Sequence, residues 1–272
     1  MTPLIGPVEA PALHAMTFNI RRRMRVTTPA DRWARRHPLV RRLVAAEKPT
    51  LLAAQEVLPD QAVALASALG SSYRRLGHGR LPGPRDESCP LFYDGDRLEL
   101  LDWSQGALSD RPNQPGSMSW GNLIPRVLVE ARLRDRATGI SFVAIGTHLD
   151  AFSARSRLRS AAAIRERVRE LCLPTIVLGD MNAGADSPPL KALRSGDALH
   201  DAWHVAEERL TEEWGTFGGY RLPRAGGERI DAILVSPGIR VERIGIHTAP
   251  LDGAWPSDHF PVQAVVHLGP AA

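Results

Sequence analysis

Short apolar segments run along the chain with two different periods. Leu13 to Ile20 alternates apolar and polar residues, the period of a strand. Arg126–Leu133 and Ile140–Thr147 read as two strands joined through Arg134–Gly139, whose Asp135 and Gly139 suit a turn. Thr175–Leu178 is short and wholly apolar, as expected of a strand covered on both faces. Leu91–Tyr93, Ile230–Val235 and Pro261–Leu268 complete the strand set. Ser156–Leu171 instead places Leu158, Ala161, Ile164, Val168 and Leu171 at helical spacing, with Arg and Glu on the other side. Gln61–Leu69 and His37–Ala46 are shorter helical segments. The stretches 77–86, 108–121 and 183–189, rich in Gly, Pro, Ser and Asn, read as loops. Strands and helices mix without strict β-α-β alternation, and no repeat or linker divides the chain. The pattern therefore predicts one domain over residues 1–272, with a core from about 13 to 268, built as an α/β sandwich with sheets inside and helices outside.

Composition narrows the class. Hydrophobic residues make up 43% of the 272 positions, enough for a sizeable core. The longest apolar stretches are too short to cross a bilayer, so no stable membrane insertion is expected. The stretch from Met1 to Met16 lacks a basic start and a continuous apolar run, which points to a cytoplasmic protein, with secretion open if a leader was removed. Cys89 and Cys172 have no metal-ligand spacing and read as free thiols. The net charge of +4 suits an anionic substrate. Between Arg21 and Arg42 nine arginines face one acid, Asp31. That segment reads either as an electrostatic funnel for phosphate-bearing substrates or as a solvated helix face in a chain whose only lysines are Lys48 and Lys191.

Several segments place a carboxylate, amide or imidazole at the end of an apolar strand, where side chains leave the core. In order they are Phe18-Asn19-Ile20, Ala54-Gln55-Glu56-Val57, Gly146-Thr147-His148-Leu149-Asp150, Gly179-Asp180-Met181-Asn182, Arg229-Ile230-Asp231-Ala232 and Ser257-Asp258-His259-Phe260. Each alone is weak, since an Asp after a strand is usually a turn or a helix cap. Neither a Gly-x-Ser-x-Gly elbow nor a Walker-type loop nor a dinucleotide fingerprint is present.

Taken together, the six segments resemble the endonuclease/exonuclease/phosphatase superfamily, over about Thr17 to Val265. The resemblance implies a four-layered α/β/β/α sandwich of DNase I type, with two packed mixed or antiparallel sheets. It also implies phosphate-ester hydrolysis, in which charge on the phosphate oxygens must be neutralised and a water oriented. A hard, oxygen-liganded ion such as Mg²⁺, with Mn²⁺ as substitute, fits Glu56, with Asn19 as a carbonyl ligand or supporting partner. Asp258 is a further candidate ligand. Asp180 becomes the candidate to orient and deprotonate the water, and Asn182 to bind it or a phosphate oxygen. His259 is expected at the phosphate, with Asp231 holding its tautomer. His148 resembles the second phosphate-facing histidine of the phosphatase and lipase branches. Arg126 either touches substrate or pairs with an acid, and Glu87 is expected near the site.

The substrate is less legible. The segments Ser119-Trp120-Gly121-Asn122 and Gly215-Thr216-Phe217 look like a bacterial branch of small single-domain members. Apurinic endonucleases usually carry a tyrosine where this chain has His148, which disfavours an abasic-site nuclease. The expectation is a monomeric phosphohydrolase acting on a small phosphorylated molecule or nucleotide. A nonspecific nuclease is the alternative that would make nucleic acid a partner; a phospholipid or sphingolipid phosphodiesterase and a non-catalytic binding module are others. Trp33, Trp120 and Trp255 are candidates to line a pocket.

Overall fold

A computed structural model describes residues 2–25, 28–83 and 86–269. Residues 84 and 85 of the expected 77–86 loop, residues 26 and 27 of the arginine-rich segment, and the ends of the expected 1–272 domain lie outside these described residues.

The chain runs β1 (Leu13–Asn19), α1 (Trp33–Glu47), β2 (Leu51–Gln55), α2 (Pro59–Leu69), β3 (Tyr73–Leu76), β4 (Leu91–Asp94), β5 (Leu98–Ala107), β6 (Val127–Asp135) and β7 (Ser141–His148). It continues α3 (Ala154–Leu171), β8 (Thr175–Asp180), α4 (Pro188–Arg194), β9 (His200–Asp201), α5 (Ala202–Val205), β10 (Glu208–Arg209), β11 (Asp231–Val235), β12 (Arg240–Ile246) and β13 (Val262–His267). One sheet has seven strands in the order β10-β12-β13-β1-β2-β4-β3, and the other has six in the order β5-β6-β7-β8-β11-β9. Both are mixed: β1 runs parallel to β2, and β7 parallel to β8, inside otherwise largely antiparallel neighbours.

The alternation in β1 does not separate core from solvent, because every residue from Leu13 to Asn19 is buried. Leu13 and Ala15 face the other sheet, alongside Phe142, Ala144, Ile176 and Leu178. Met16 and Phe18 face outward, under Leu39, Val40 and Leu43 of α1 and Leu65 and Leu69 of α2. On the far side, Val143, Ile145 and Val177 pack against Ile164 and Val168 of α3 and Leu190 and Leu193 of α4. Each central strand thus buries both faces, which makes four layers of helix, sheet, sheet and helix. Removing one of the fully buried rings, as in Phe142→Ala, would cost about 3–5 kcal/mol.

Helix α3 begins where Ser153 Oγ accepts the Ser156 amide at 3.1 Å, and it stops at Cys172, which adopts a left-handed φ of 47°. Its inward stripe is Ala161, Ile164 and Val168; Leu158, expected on that stripe, is 42% exposed. Strands β5 and β12 escape the period-2 reading for a physical reason. Each carries a bulge, at Leu100/Asp102 and Val241/Arg243, which shifts the alternation by one residue midway. No helix among the described residues is long and apolar enough to cross a membrane.

Candidate active site

Strand register brings three of the sequence candidates into one row. His148 ends β7 opposite Asp180 at the end of parallel β8, and Asp231 opens antiparallel β11 opposite the same Asp180. Asn19 ends β1, which runs parallel to β2, and Glu56 follows that strand with a left-handed φ of 60°. Packing the sheets face to face then sets the two ends against each other. Gly179 is required beside Asp180, because a Cβ there would fall on the Thr147 carbonyl oxygen.

Asp180 is the hub. Its Oδ2 accepts from Asn19 Nδ2 at 3.0 Å and lies 3.4 Å from His148 Nε2 and 3.8 Å from His259 Nε2. Its Oδ1 accepts the Asn182 amide at 2.9 Å. Asn182, at a φ of 47°, donates its side-chain Nδ2 to the Leu149 carbonyl at 3.0 Å, which leaves Oδ1 for another partner. His259 is fixed from both ends of its backbone and ring. Its amide donates to Ser257 Oγ at 3.2 Å, and its Nδ1 stands 2.9 Å from Asp231 Oδ2. Thr216 Oγ1 in turn accepts the amides of Ile230 and Asp231 at 2.9 and 3.0 Å, which holds the start of β11.

The charges follow from burial and partners. Burial first, and then the Asp231 carboxylate, push the Asp180 carboxyl up to about 7. Burial would lower the His259 imidazole, but Asp231 and Asp180 outweigh it and raise that ring to about 10. His148 goes the other way: burial and the guanidinium groups of Arg126 and Arg80 hold it well below an ordinary histidine. The site therefore pairs a carboxylate of raised basicity with one imidazolium and one neutral imidazole, a set suited to moving protons near neutral pH.

A groove of about 380 Å³ opens over these residues and is also lined by Arg21, Arg22, Glu56, Arg80, Glu87, Arg126, Phe152, Phe217 and Asp258. Glu56 accepts from Asn19 Nδ2 at 3.2 Å and from the Arg22 amide at 3.2 Å. Despite burial, that amide and the Arg21 guanidinium hold the Glu56 carboxyl below its usual range, so it stays charged. Asp258 is pushed up by burial, with Glu56 adding to the effect. Buried carboxylates at an open groove, Glu56 kept charged and Asp258 beside it, fit a hard divalent cation such as Mg²⁺ or Mn²⁺. A second set, Asp180, Asp231 and His259, offers ligand atoms within 4.8 Å of one another. Within this trio His259 Nδ1 and Asp231 Oδ2 are hydrogen-bonded at 2.9 Å, and His259 Nε2 lies 3.8 Å from Asp180 Oδ2.

Other sequence candidates divide. Arg126 pairs with an acid, Asp150, Nε to Oδ2 at 3.4 Å, and also lines the groove. Glu87 lies in the same groove, against Arg80 and within 3.4 Å of Arg22. The arginine-rich segment is neither one funnel nor one solvated face. Arg21 and Arg22 reach the groove, Arg32, Arg35, Arg41 and Arg42 are exposed, and Arg36 is fully buried. Among the described residues no tryptophan lines this groove; Trp120 lines a separate cavity between β5, β6 and α3, and Trp33 and Trp255 pack against the core. Sequence reasoning missed Arg36, whose guanidinium donates to the carbonyls of Ile20 at 2.7 Å, Asp31 at 2.9 Å and Arg21 at 3.0 Å. It also missed Arg80, Phe152 and the exposed ring of Phe217, which stands edge-on to His259 at 5.1 Å. A lone Arg or Phe in a loop carries no sequence signal for such a placement.

The model of the Endonuclease/Exonuclease/phosphatase family matches residues 16–259. Among solved structures, an endonuclease/exonuclease/phosphatase from Bacteroides vulgatus is 30% identical, with a TM-score of 0.86 over 94% of this chain and 99% of that one. A mannosyl-6-phosphatase from Bacteroides thetaiotaomicron is 27% identical, with a TM-score of 0.85 over 93% and 99% of the two chains. The human nocturnin catalytic domain, 21% identical, shares the fold with a TM-score of 0.70 over 94% and 93%. No match was found among the curated proteins.

Proposed function

The chain belongs to the endonuclease/exonuclease/phosphatase family, and from that premise we propose that it is a divalent-metal-dependent phosphoesterase acting on a small phosphorylated molecule or nucleotide. The observation that carries this reading is Asp180, a carboxylate lifted to about 7 at the floor of an open groove, with two histidines and an amide around it. The mannosyl-6-phosphatase likeness supports a small substrate.

Asp180 orients the attacking water and takes its proton, which its raised basicity favours. Asn182 keeps that carboxylate in place through its amide and offers its free Oδ1 to the water. His259, held as imidazolium by Asp231, donates to the phosphoryl oxygens as charge builds on them. Neutral His148 faces the same phosphoryl group from the β7 side. Glu56 would hold the cation, with Asn19 and Asp258 beside it, and when bound the cation supplies charge neutralisation on the phosphate. Phe152 and Phe217, 70% and 58% exposed at the mouth of the groove, supply apolar surface for the organic part of the ester. One domain, a monomer and a cytoplasmic site of action complete the proposal.

The test is phosphate release with Mg²⁺, with Mn²⁺ and with chelator from sugar phosphates, nucleotides, inositol phosphates, a phospholipid and plasmid DNA. Turnover that needs the metal and disappears in Asp180→Asn supports the reading; plasmid cleavage with no release from small esters would make the chain a nuclease instead. Metal-dependent turnover that survives in Asp180→Asn would remove Asp180 from its role.

A further inference from the structure

Two arginines with no part in the steps above line the same groove. Arg80 and Arg126 are only 4% and 3% exposed, yet among the described residues Nη1 of each has no hydrogen-bond partner. A buried guanidinium N–H left unmade carries its full desolvation penalty, so two such groups on residues that line one groove are unmet donors that an acceptor from outside could satisfy. Their remaining contacts fix the fork of each side chain. Arg80 is clamped by Glu87, and Arg126 by Asp150 at 3.4 Å. Arg22, which reaches Glu87 at 3.4 Å, adds a third cation on the same wall. His148, whose Nε2 lies 3.4 Å from Asp180 Oδ2, lines the same groove as both arginines.

We propose that Arg80 and Arg126 form a dianion-binding subsite that takes the terminal oxygens of a phosphomonoester, which makes the substrate a monoester rather than a diester. This rests on the phosphoesterase reading above. A phosphomonoester carries a charge of about −1.5 to −2 at neutral pH and three terminal acceptor oxygens. A diester has one charge and two free oxygens, and its second substituent has to fit where the buried arginines wall the groove. Paired guanidinium donors suit the first group, because they bind phosphate oxygens through directed N–H bonds.

Isothermal titration of the full chain at pH 8, in Mg²⁺ and in chelator, compares inorganic phosphate with dimethyl phosphate. Phosphate should bind at least about tenfold more tightly than dimethyl phosphate. Because both arginines are buried beside an acid, the variants remove each pair together: Arg80→Gln with Glu87→Gln, and Arg126→Gln with Asp150→Asn. Each double variant should melt near the wild type and lose about tenfold or more of its phosphate affinity. Folded double variants that bind phosphate as the wild type does would overturn the subsite, as would equal binding of the two anions or no phosphate binding in either buffer. Hydrolysis separates this from the broader reading. Turnover of bis(4-nitrophenyl) phosphate with none of 4-nitrophenyl phosphate overturns the monoester subsite and leaves the phosphoesterase standing. Arginine-dependent phosphate binding without turnover of any ester supports the subsite and counts against the enzyme.

Discussion

Asp231 and His259 meet across the two sheets: Oδ2 of the first residue of β11 lies 2.9 Å from Nδ1 of a residue just ahead of β13. One short hydrogen bond therefore ties the packing of the sandwich to the protonation of a ring in the groove. Both partners are nearly solvent-free, so the contact is poorly screened.

Asp231→Asn removes the charge that keeps His259 protonated. With His259 held at about 10 and Asp180 at about 7, kcat/KM in the wild type should rise as pH passes upward through about 7, where Asp180 loses its proton. It should fall again through about 10, where His259 loses its own. In Asp231→Asn the alkaline limb should move to lower pH, because a His⁺ without its carboxylate gives up its proton sooner. A pH–rate profile of both proteins reads this directly, and an unmoved alkaline limb would detach Asp231 from the role.

Asp180→Asn keeps the shape but removes the base and turns one of its two accepting oxygens, which receive Asn19 Nδ2 and the Asn182 amide, into a donor. Turnover should drop on the order of 10²–10⁴-fold with the fold intact, as measured by phosphate release beside circular dichroism.

Glu56→Gln should act on the metal rather than on the proton. Glu56 stays charged despite its burial, so replacing it should raise the Mg²⁺ concentration needed for half-maximal activity by roughly tenfold or more. Chelator should abolish wild-type turnover, with restoration by added Mg²⁺ or Mn²⁺. A Glu56→Gln enzyme with unchanged metal requirement would place the ion elsewhere.

Arg36→Met tests the scaffold beneath the groove. The fully buried guanidinium gathers the carbonyls of Ile20, Arg21 and Asp31, and losing it leaves several buried acceptors unmet. At about 1–3 kcal/mol for each unsatisfied group, the melting temperature should fall by on the order of 10 °C or more. A melting curve within a degree of the wild type would show that water replaces the arginine at no cost.

Phe217→Ala should raise KM for esters with a ring in the leaving group and leave kcat for a small aryl phosphate nearly unchanged. The ring is exposed and touches His259 only edge-on, so it offers surface to the substrate more than support to the base.

The class of fold and the family were legible in the chain before any packing was known. Both rest on local information: apolar runs of strand or helix period, and a polar residue placed where each run ends. Asn19, Glu56, His148, Asp180, Asp231 and His259 were all legible as strand-end residues in a recognisable order. Which of them meet, and what else meets them, emerges only from strand pairing and packing. Register sets His148 and Asp231 on either side of Asp180, and sheet packing brings Asn19 within 3.0 Å of that carboxylate from 161 positions away. The arginines make the contrast plainest. In sequence, the nine between Arg21 and Arg42 look alike. In the fold one is a buried scaffold, two face the groove and others face water, while the solitary Arg80 joins the groove from a loop. A charge's role depends on whether water can reach it and which acceptors surround it, and both are properties of the packed chain.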